Sequence, residues 1–464
     1  MNRASTIGEL RRSNYRVLSV KEEMRKNLLT KIQSAEALFP GIIGYEETVL
    51  PQVENAVLSG HDLILLGERG QAKSRIARNL IHLLDEEVPA ISGCEINDHP
   101  FKPICKACRQ KLEEYGDEVE IVWVGREQRY GEKLATPDTT IADLIGEVDP
   151  IKVAEGRYLS DELTIHYGLV PRTNRGVFCL NELPDLAERI QVGLLNIMEE
   201  RDVQIRGYKV RLPLDIYVVA SANPEDYTNR GRIITPLKDR FGSQVRTHYP
   251  RSIVHEMAIM DQEQTTFDED GRDTYIPQYM REIVAEITHL ARKNNDISQR
   301  SGVSVRVSIC NFENLLSNAL KRAVRLGEKQ VCPRISDLSA VVASSMGKIE
   351  LESLGDAREE KVMEKLVQGA VAAVFNRHLR VGDLDEMVTA FEGGLSVEAS
   401  DDMSSMDYVH QVAEMPGLRE ALEKIQAQGN PAVIASGVEF ILEGLHLNRK
   451  LNKDRLAGRA RYRR

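Results

Sequence analysis

A parallel α/β domain followed by helical domains is the architecture this sequence predicts, and three observations carry it. Short apolar runs ending in glycine or polar residues, HDLILLG, GVFCLNE and DIYVVASANP, read as buried strands. Helical patterns such as SRIARNLIHLL and LAERIQVGLLNIMEE lie between them, and that alternation implies a largely parallel sheet sandwiched by helices. From about residue 251 the pattern is helical: YMREIVAEITHLARKNN, SICNFENLLSNALKRAVRLG and ISDLSAVVASSMGKIEL.

Taken in order, residues 1–36 show helical spacing with dense charge, as a surface or interface helix would. FPGIIGYEETVLPQVENAVLSG passes through a Pro-Gly turn into an amphipathic helix, and HDLILLG follows as the first strand. VQIRGYKVRLP alternates about Gly207 and reads as a hairpin. The predicted divisions are an N-terminal helical segment (1–36), an α/β core (37–250) with an insertion at about 94–120, a helical domain (251–350) and a helical C-terminal extension (351–464). Within the extension, EGGLSVEASDDMSSMD reads as a linker or hinge, and the basic end LNRKLNKDRLAGRARYRR as a solvated tail.

Composition narrows the function. With 464 residues, 42% apolar and 28% charged, the chain belongs to the ordinary globular class and is long enough for several domains. A formal charge of −10 argues against a nucleic-acid coat. The N-terminus lacks the apolar run of a signal peptide and no 18-residue apolar stretch occurs, so a cytoplasmic protein without a membrane span is expected.

The chemistry concentrates in LLGERGQAKSRIARNL. Gly67, Glu68, Arg69, Gly70, Gln71 and Ala72 precede Lys73-Ser74, after a strand and before a helix, as a phosphate-binding loop requires. Backbone N–H groups and the helix N-terminus would wrap the phosphates of ATP, Lys73 would reach the β- and γ-phosphates, and Ser74 would bind Mg²⁺. The pattern favours glycine at position 72. If φ there is negative, the methyl group of Ala72 costs little and favours the helix.

The strand GVFCLNE ends in Asn181-Glu182, where two acids are the usual arrangement. Glu182 is the expected water-activating carboxylate. Asn181 can reach Mg²⁺ through a metal-bound water but brings no charge, a loss of about 1–2 kcal/mol or roughly tenfold. Restoring aspartate is therefore expected to raise turnover. Asn223 in VVASANP ends the next strand and could orient the attacking water. Arg240 in PLKDRFG suits a trans-acting finger, and Arg306 in SGVSVRVSI opens a helix that could reach the γ-phosphate.

Cys94, His99, Cys105 and Cys108 lie within ISGCEINDHPFKPICKACRQ. Cys105-x-x-Cys108 has zinc-chelate spacing, and Cys94 and His99 could complete a tetrahedral structural Zn²⁺ site. Cys179, Cys310 and Cys332 fall in apolar or helical contexts and are expected to be packing residues.

This order of motifs resembles the AAA+ ATPases, in the branch of the magnesium chelatase ATPase subunit and the MoxR family, over roughly residues 37–350. FPGIIGYEE resembles the opening segment of the chelatase subunit, and IADLIGEVDPIKVAEGRYLSDELTIHYGLVPRTNRGVFCLNE its helix-2 insertion running into the second nucleotide motif. EERDVQIRGYKVRLPLDIYVVASANP is similar to its pre-sensor hairpin and first sensor, and PLKDRFG to its arginine-finger motif. The resemblance implies a P-loop ATPase core with a helical lid at 251–350, a ring that is commonly hexameric with ATP between subunits, and a partner carrying a von Willebrand A-type domain. MoxR-like proteins commonly carry alanine before the lysine, whereas Asn181 departs from the Asp-Glu of both families. Three readings stay open: a partner-remodelling motor, a true chelatase subunit acting in porphyrin metallation, and an ATP-gated scaffold with little hydrolysis. A transcriptional activator of the related kind would need a GAFTGA loop, which the sequence lacks.

Overall fold

The computed structural model describes residues 3–13, 15–149, 151, 154, 162–200, 202–204, 211–223, 231–265, 272–298, 302–351, 356–456 and 459–464. They form two compact units, Met1–His248 and Tyr249–Arg464.

The first unit is built on five strands: β1 (Leu63–Leu66), β2 (Tyr130–Leu134), β3 (Gly176–Asn181), β4 (Ile216–Ala222) and β5 (Ser243–Arg246). They lie in the order β5-β1-β4-β3-β2, and every neighbouring pair is parallel. The runs are apolar throughout because both faces are covered, and successive side chains take opposite faces. Leu63, Leu65, Val177, Cys179, Tyr217 and Val219 meet Val20, Met24 and Leu28 of the helix Val20–Gln33, together with Val53, Val57 and Ile76. Ile64, Leu66, Phe178, Leu180, Val218 and Ala220 pack on the other side against Ile190, Leu194 and Ile197 of the helix Glu188–Glu199. Three layers result, with the strand ends that carry the polar residues at one rim.

The N-terminal segment is part of this core, not a surface helix. Ser19 and Glu22 form a capping box, and both carboxylate oxygens of Asp215 accept the N–H of Val20 at 3.1 and 2.9 Å. Glu23, one turn in, receives a bidentate pair from Arg129 at 2.7 and 2.6 Å with both side chains buried. The dense charge thus conceals an inward-facing acid. The insertion begins and ends in an antiparallel pair, Glu87–Ile91 with Ile121–Gly125, and carries the helix Lys106–Tyr115. Asp202–Gln204 pairs antiparallel with Arg211–Pro213, as the expected hairpin would; Gly207 lies outside the described residues.

In the second unit the helices Gln278–Ala291, Arg306–Leu326, Asp356–His378 and Pro431–Leu447 share one hydrophobic core, so residues on either side of 350 pack together. The expected linker and tail are instead a sheet. Val397–Ala399 pairs antiparallel with Arg459–Arg463, which pairs with Asn452–Leu456. RARYR alternates with period two: Tyr462 is buried and its hydroxyl donates to Glu443 at 2.5 Å, while Arg461 stays exposed near Glu398. A basic strand and a basic tail have the same composition; only the alternation separates them. Among the described residues no helix is long and apolar enough to cross a membrane.

Candidate nucleotide site

The loop between β1 and the helix Lys73–Asn79 is fixed by its own side chains. Buried Gln71 accepts through Oε1 from the Glu68 N–H at 3.1 Å and from the Thr247 hydroxyl at 2.7 Å. Its carbonyl accepts from Tyr45 Oη at 3.0 Å, and the same hydroxyl donates to the His248 carbonyl at 2.6 Å. Burial pushes the Tyr45 phenol up to about 12, so it remains a donor. At Gly67 a Cβ would sit 1.9 Å from Thr247 Oγ1 and 2.3 Å from Gln71 Oε1, so a side chain there would break the hydrogen bond between them. Arg69 is exposed at the loop tip, before Gly70 at φ 76°.

Ala72 departs from expectation. Its φ is 54° and ψ 17°, the left-handed region, at the residue that caps the helix. An L-residue there costs on the order of 1–2 kcal/mol, which is why glycine is favoured. The methyl group packs on the apolar cluster beside the sheet, a partial offset. Ala72 is tolerated at a cost, not favoured as a helix former.

Lys73 is buried, and its ammonium donates to the carbonyls of Gly67 and Glu68 (2.8 Å to the latter) and to Asn223 Oδ1 at 2.6 Å. The two loop carbonyls and the Asn223 amide oxygen orient the ammonium at the end of β1. Ser74 follows in the first helical turn. From Asn223 the chain continues, its Nδ2 donating to Glu182 Oε2 at 2.7 Å. Glu182 stands at the end of β3 with φ 54° and ψ 48°, and its N–H donates to Ser221 Oγ at 3.3 Å. A non-glycine residue held in this region is strain of the kind that concentrates at working sites. Lys73, Asn223 and Glu182, read from three separate stretches, therefore meet at the carboxyl ends of β1, β4 and β3.

Asn181 is engaged on both sides. Its Nδ2 donates to Glu132 Oε1 at 2.5 Å, and its Oδ1 accepts from Ser221 Oγ at 3.1 Å. Glu132, on the adjacent strand β2, also takes a bidentate pair from Arg78 at 2.8 and 3.0 Å and the Tyr130 hydroxyl at 3.2 Å. Burial raises the Glu132 carboxyl, but Arg78, Tyr130 and Asn181 outweigh it and hold the group below the usual carboxylate range. An ionised carboxylate only accepts, which fixes the amide face that Asn181 turns toward it. Glu132 and Ser221 were not singled out from sequence. A charged residue in the strand GEKL was the one signal available.

Arg240 ends the helix Thr235–Arg240, pairs with Glu199 and donates to the Pro236 carbonyl at 2.8 Å. Arg306 is exposed at the first position of the helix Arg306–Leu326, in the second unit.

Of the four insertion residues expected to hold zinc, three come together. Cys94, Cys105 and Cys108 cluster with Asp98, one ligand atom from each lying within 4.8 Å of the others. His99 is elsewhere engaged. Its Nδ1 accepts the Phe101 N–H at 3.0 Å, which places the ring proton on Nε2 and leaves neither nitrogen a lone pair for a metal. Burial and the Arg175 charge hold His99 down at about 4, in the neutral form.

The chain is similar to several known proteins. A family described as the Sigma-54 interaction domain matches residues 155–240, the stretch holding Glu182, Asn223 and Arg240. Magnesium-chelatase subunit ChlI of Nephroselmis olivacea is 25% identical over 370 residues, 72% of this chain and 96% of that protein. ChlI-2 of Arabidopsis thaliana is 26% identical over 272 residues, 56% of this chain and 60% of that one. Among solved structures, subunit BchI in complex with BchD of magnesium chelatase aligns at 20% identity over 70% of this chain and 98% of that chain, with a TM-score of 0.37. NtrX of Brucella abortus aligns at 14% over 75% and 66%, with a TM-score of 0.41.

Proposed function

We propose that this chain, an AAA+ ATPase of the magnesium-chelatase branch, uses Mg-ATP at the Lys73–Asn223–Glu182 site to drive rearrangement of a partner protein within a ring of subunits. The observation that carries the reading is the unbroken hydrogen-bonded line from the loop lysine through Asn223 to the Glu182 carboxylate. Bound Mg-ATP supplies the electrophilic γ-phosphorus and a cation that neutralises its oxygens. Lys73 would exchange its carbonyl partners for phosphate oxygens, with Ser74 on the metal. Asn223 holds Glu182 in register with the loop, so that its carboxylate takes the proton of the attacking water. Arg240, released from Glu199, would complete the site of a neighbouring subunit, and Arg306 would report nucleotide state to the helical unit.

We infer a partner subunit for this chain as well. We place a von Willebrand A-type domain in that partner, and porphyrin metallation as one setting for the motor. A second reading, an ATP-gated scaffold, is favoured by one observation: Asn181 is locked onto Glu132 and adds no charge for a metal.

The test is steady-state ATP turnover beside equilibrium binding of a fluorescent ATP analogue, for wild type, Lys73→Ala and Glu182→Gln. The motor reading expects Lys73→Ala to lose binding and Glu182→Gln to bind but not turn over. Unchanged nucleotide affinity in Lys73→Ala sinks the phosphate-loop assignment; wild type that binds without turnover leaves the scaffold.

A further inference from the structure

The insertion holds a cluster that the ATPase site does not use. Cys94 follows the strand Glu87–Ile91, Cys105 is the N-cap of the helix Lys106–Tyr115, and Cys108 lies in that helix's first turn. Asp98 is fully buried between them. Backbone donors already face the sulfurs: Asp98 N–H to Cys94 Sγ at 3.3 Å and Cys108 N–H to Cys105 Sγ at 3.4 Å. Such N–H···S contacts stabilise thiolates, the form in which cysteine binds metal. Asp98 Oδ2 accepts the Cys105 N–H at 3.0 Å, while its Oδ1 is buried without a hydrogen-bond partner among the described residues. A carboxylate oxygen sealed from water and unpaired is costly, and a cation is what would satisfy it.

We propose that Cys94, Asp98, Cys105 and Cys108 form a closed tetrahedral site for one structural Zn²⁺. Three sulfurs and one oxygen suit zinc over magnesium or calcium, which take oxygen. Zn–S bonds of about 2.3 Å place tetrahedral sulfurs roughly 3.8 Å apart, so ligand atoms within 4.8 Å need only a small contraction. Four protein ligands leave no open position, which makes the site structural and not catalytic. Its mechanical sense lies in what it joins. The helix it caps is also tied to Glu162, through the Lys106 N–H at 2.7 Å and Arg109 at 3.1 Å. The metal would therefore staple the strand turn, the helix and the segment beginning at Glu162 into one body.

The experiment measures metal in the full-length chain, expressed with added zinc and dialysed, by plasma mass spectrometry. Wild type and His99→Ala should each carry about one zinc per chain, and Cys105→Ser well under half of that. Because Cys105→Ser could misfold, the Co²⁺-loaded forms provide a second readout. Wild type should show intense tetrahedral d–d bands with thiolate charge transfer, and Asp98→Asn should shift the d–d bands while keeping the charge-transfer intensity. Three outcomes overturn the site: wild type free of zinc with its thiols titratable, a disulfide among the three cysteines, or metal lost in His99→Ala but kept with an unchanged Co²⁺ spectrum in Asp98→Asn. None of these depends on ATP turnover, so the site and the motor fail or stand separately.

Discussion

Replacing Asn181 by aspartate would set a second carboxylate where an amide now donates to Glu132 Oε1 at 2.5 Å. Two unit charges with centres about 4 Å apart repel by about 4 kcal/mol at an effective dielectric of 20. Arg78 stays on Glu132, and its side chain is 64% exposed, so solvent screening roughly halves that figure to about 2 kcal/mol. The amide hydrogen bond is lost as well, a further ~1 kcal/mol. At roughly 2–4 °C per kcal/mol for a unit of this size, Tm should fall by about 6–12 °C. Turnover should not rise, against the expectation from the motif alone, because the carboxylate repelled by Glu132 no longer holds the position that this contact gives the amide. Adding Glu132→Gln reverses the roles of amide and carboxylate across the same contact. The double variant should therefore recover most of the stability, and only then should turnover rise. Thermal melts and ATPase rates on the four proteins of this cycle test the coupling. As pH falls towards 5, protonation of one acid should shrink the deficit of the single variant. An Asn181→Asp protein as stable as wild type and faster than it, with Glu132 intact, would refute the coupling.

Three other expectations follow from single features. Ala72→Gly removes the left-handed strain of φ 54° but frees the unfolded chain, so a net gain of roughly 0.5–1 kcal/mol is expected, read as a higher Tm; a lower Tm would mean the methyl packing dominates. Arg240→Ala should abolish turnover in the assembled ring while nucleotide affinity holds, whereas Glu199→Gln, which removes an exposed partner, should change stability by less than ~1 kcal/mol; a fully active Arg240→Ala ends the finger assignment. Burial raises the Glu282 carboxyl, but His378, Arg377 and Gln278 reverse this and hold it at about 2. A depressed acid contributes stability above its unfolded value of 4.5 and loses it as pH falls towards 2, so Glu282→Gln should be less stable at pH 7 and show a shallower acid loss by denaturant titration.

What could be read in the sequence was whatever depends on local pattern. β1, β3 and β4 announce themselves because strands buried on both faces must be uniformly apolar, and Lys73, Glu182 and Asn223 because they stand where such runs stop. Contacts across strands leave no local trace. Glu132 meets Asn181 only because β2 pairs with β3 in one register, and no spacing in the sequence encodes that pairing. The same holds at Glu23, whose helix reads as surface until Arg129 is known to sit beneath it. His99 shows the opposite failure, where composition suggested more than geometry allows. It lies among the cysteines in sequence, yet the turn that sends Asp98 inward gives His99 Nδ1 to a backbone donor. Backbone sign was equally hidden: nothing in QAKS says that residue 72 enters its helix at positive φ. Asn181 joins these lessons. Read along the strand it is a missing charge; read across the sheet it is the donor that lets Glu132 stand against Arg78 of the loop helix without a second acid. The asparagine is thus better understood as half of a pair than as a defect, and no substitution at 181 can be interpreted without its partner at 132.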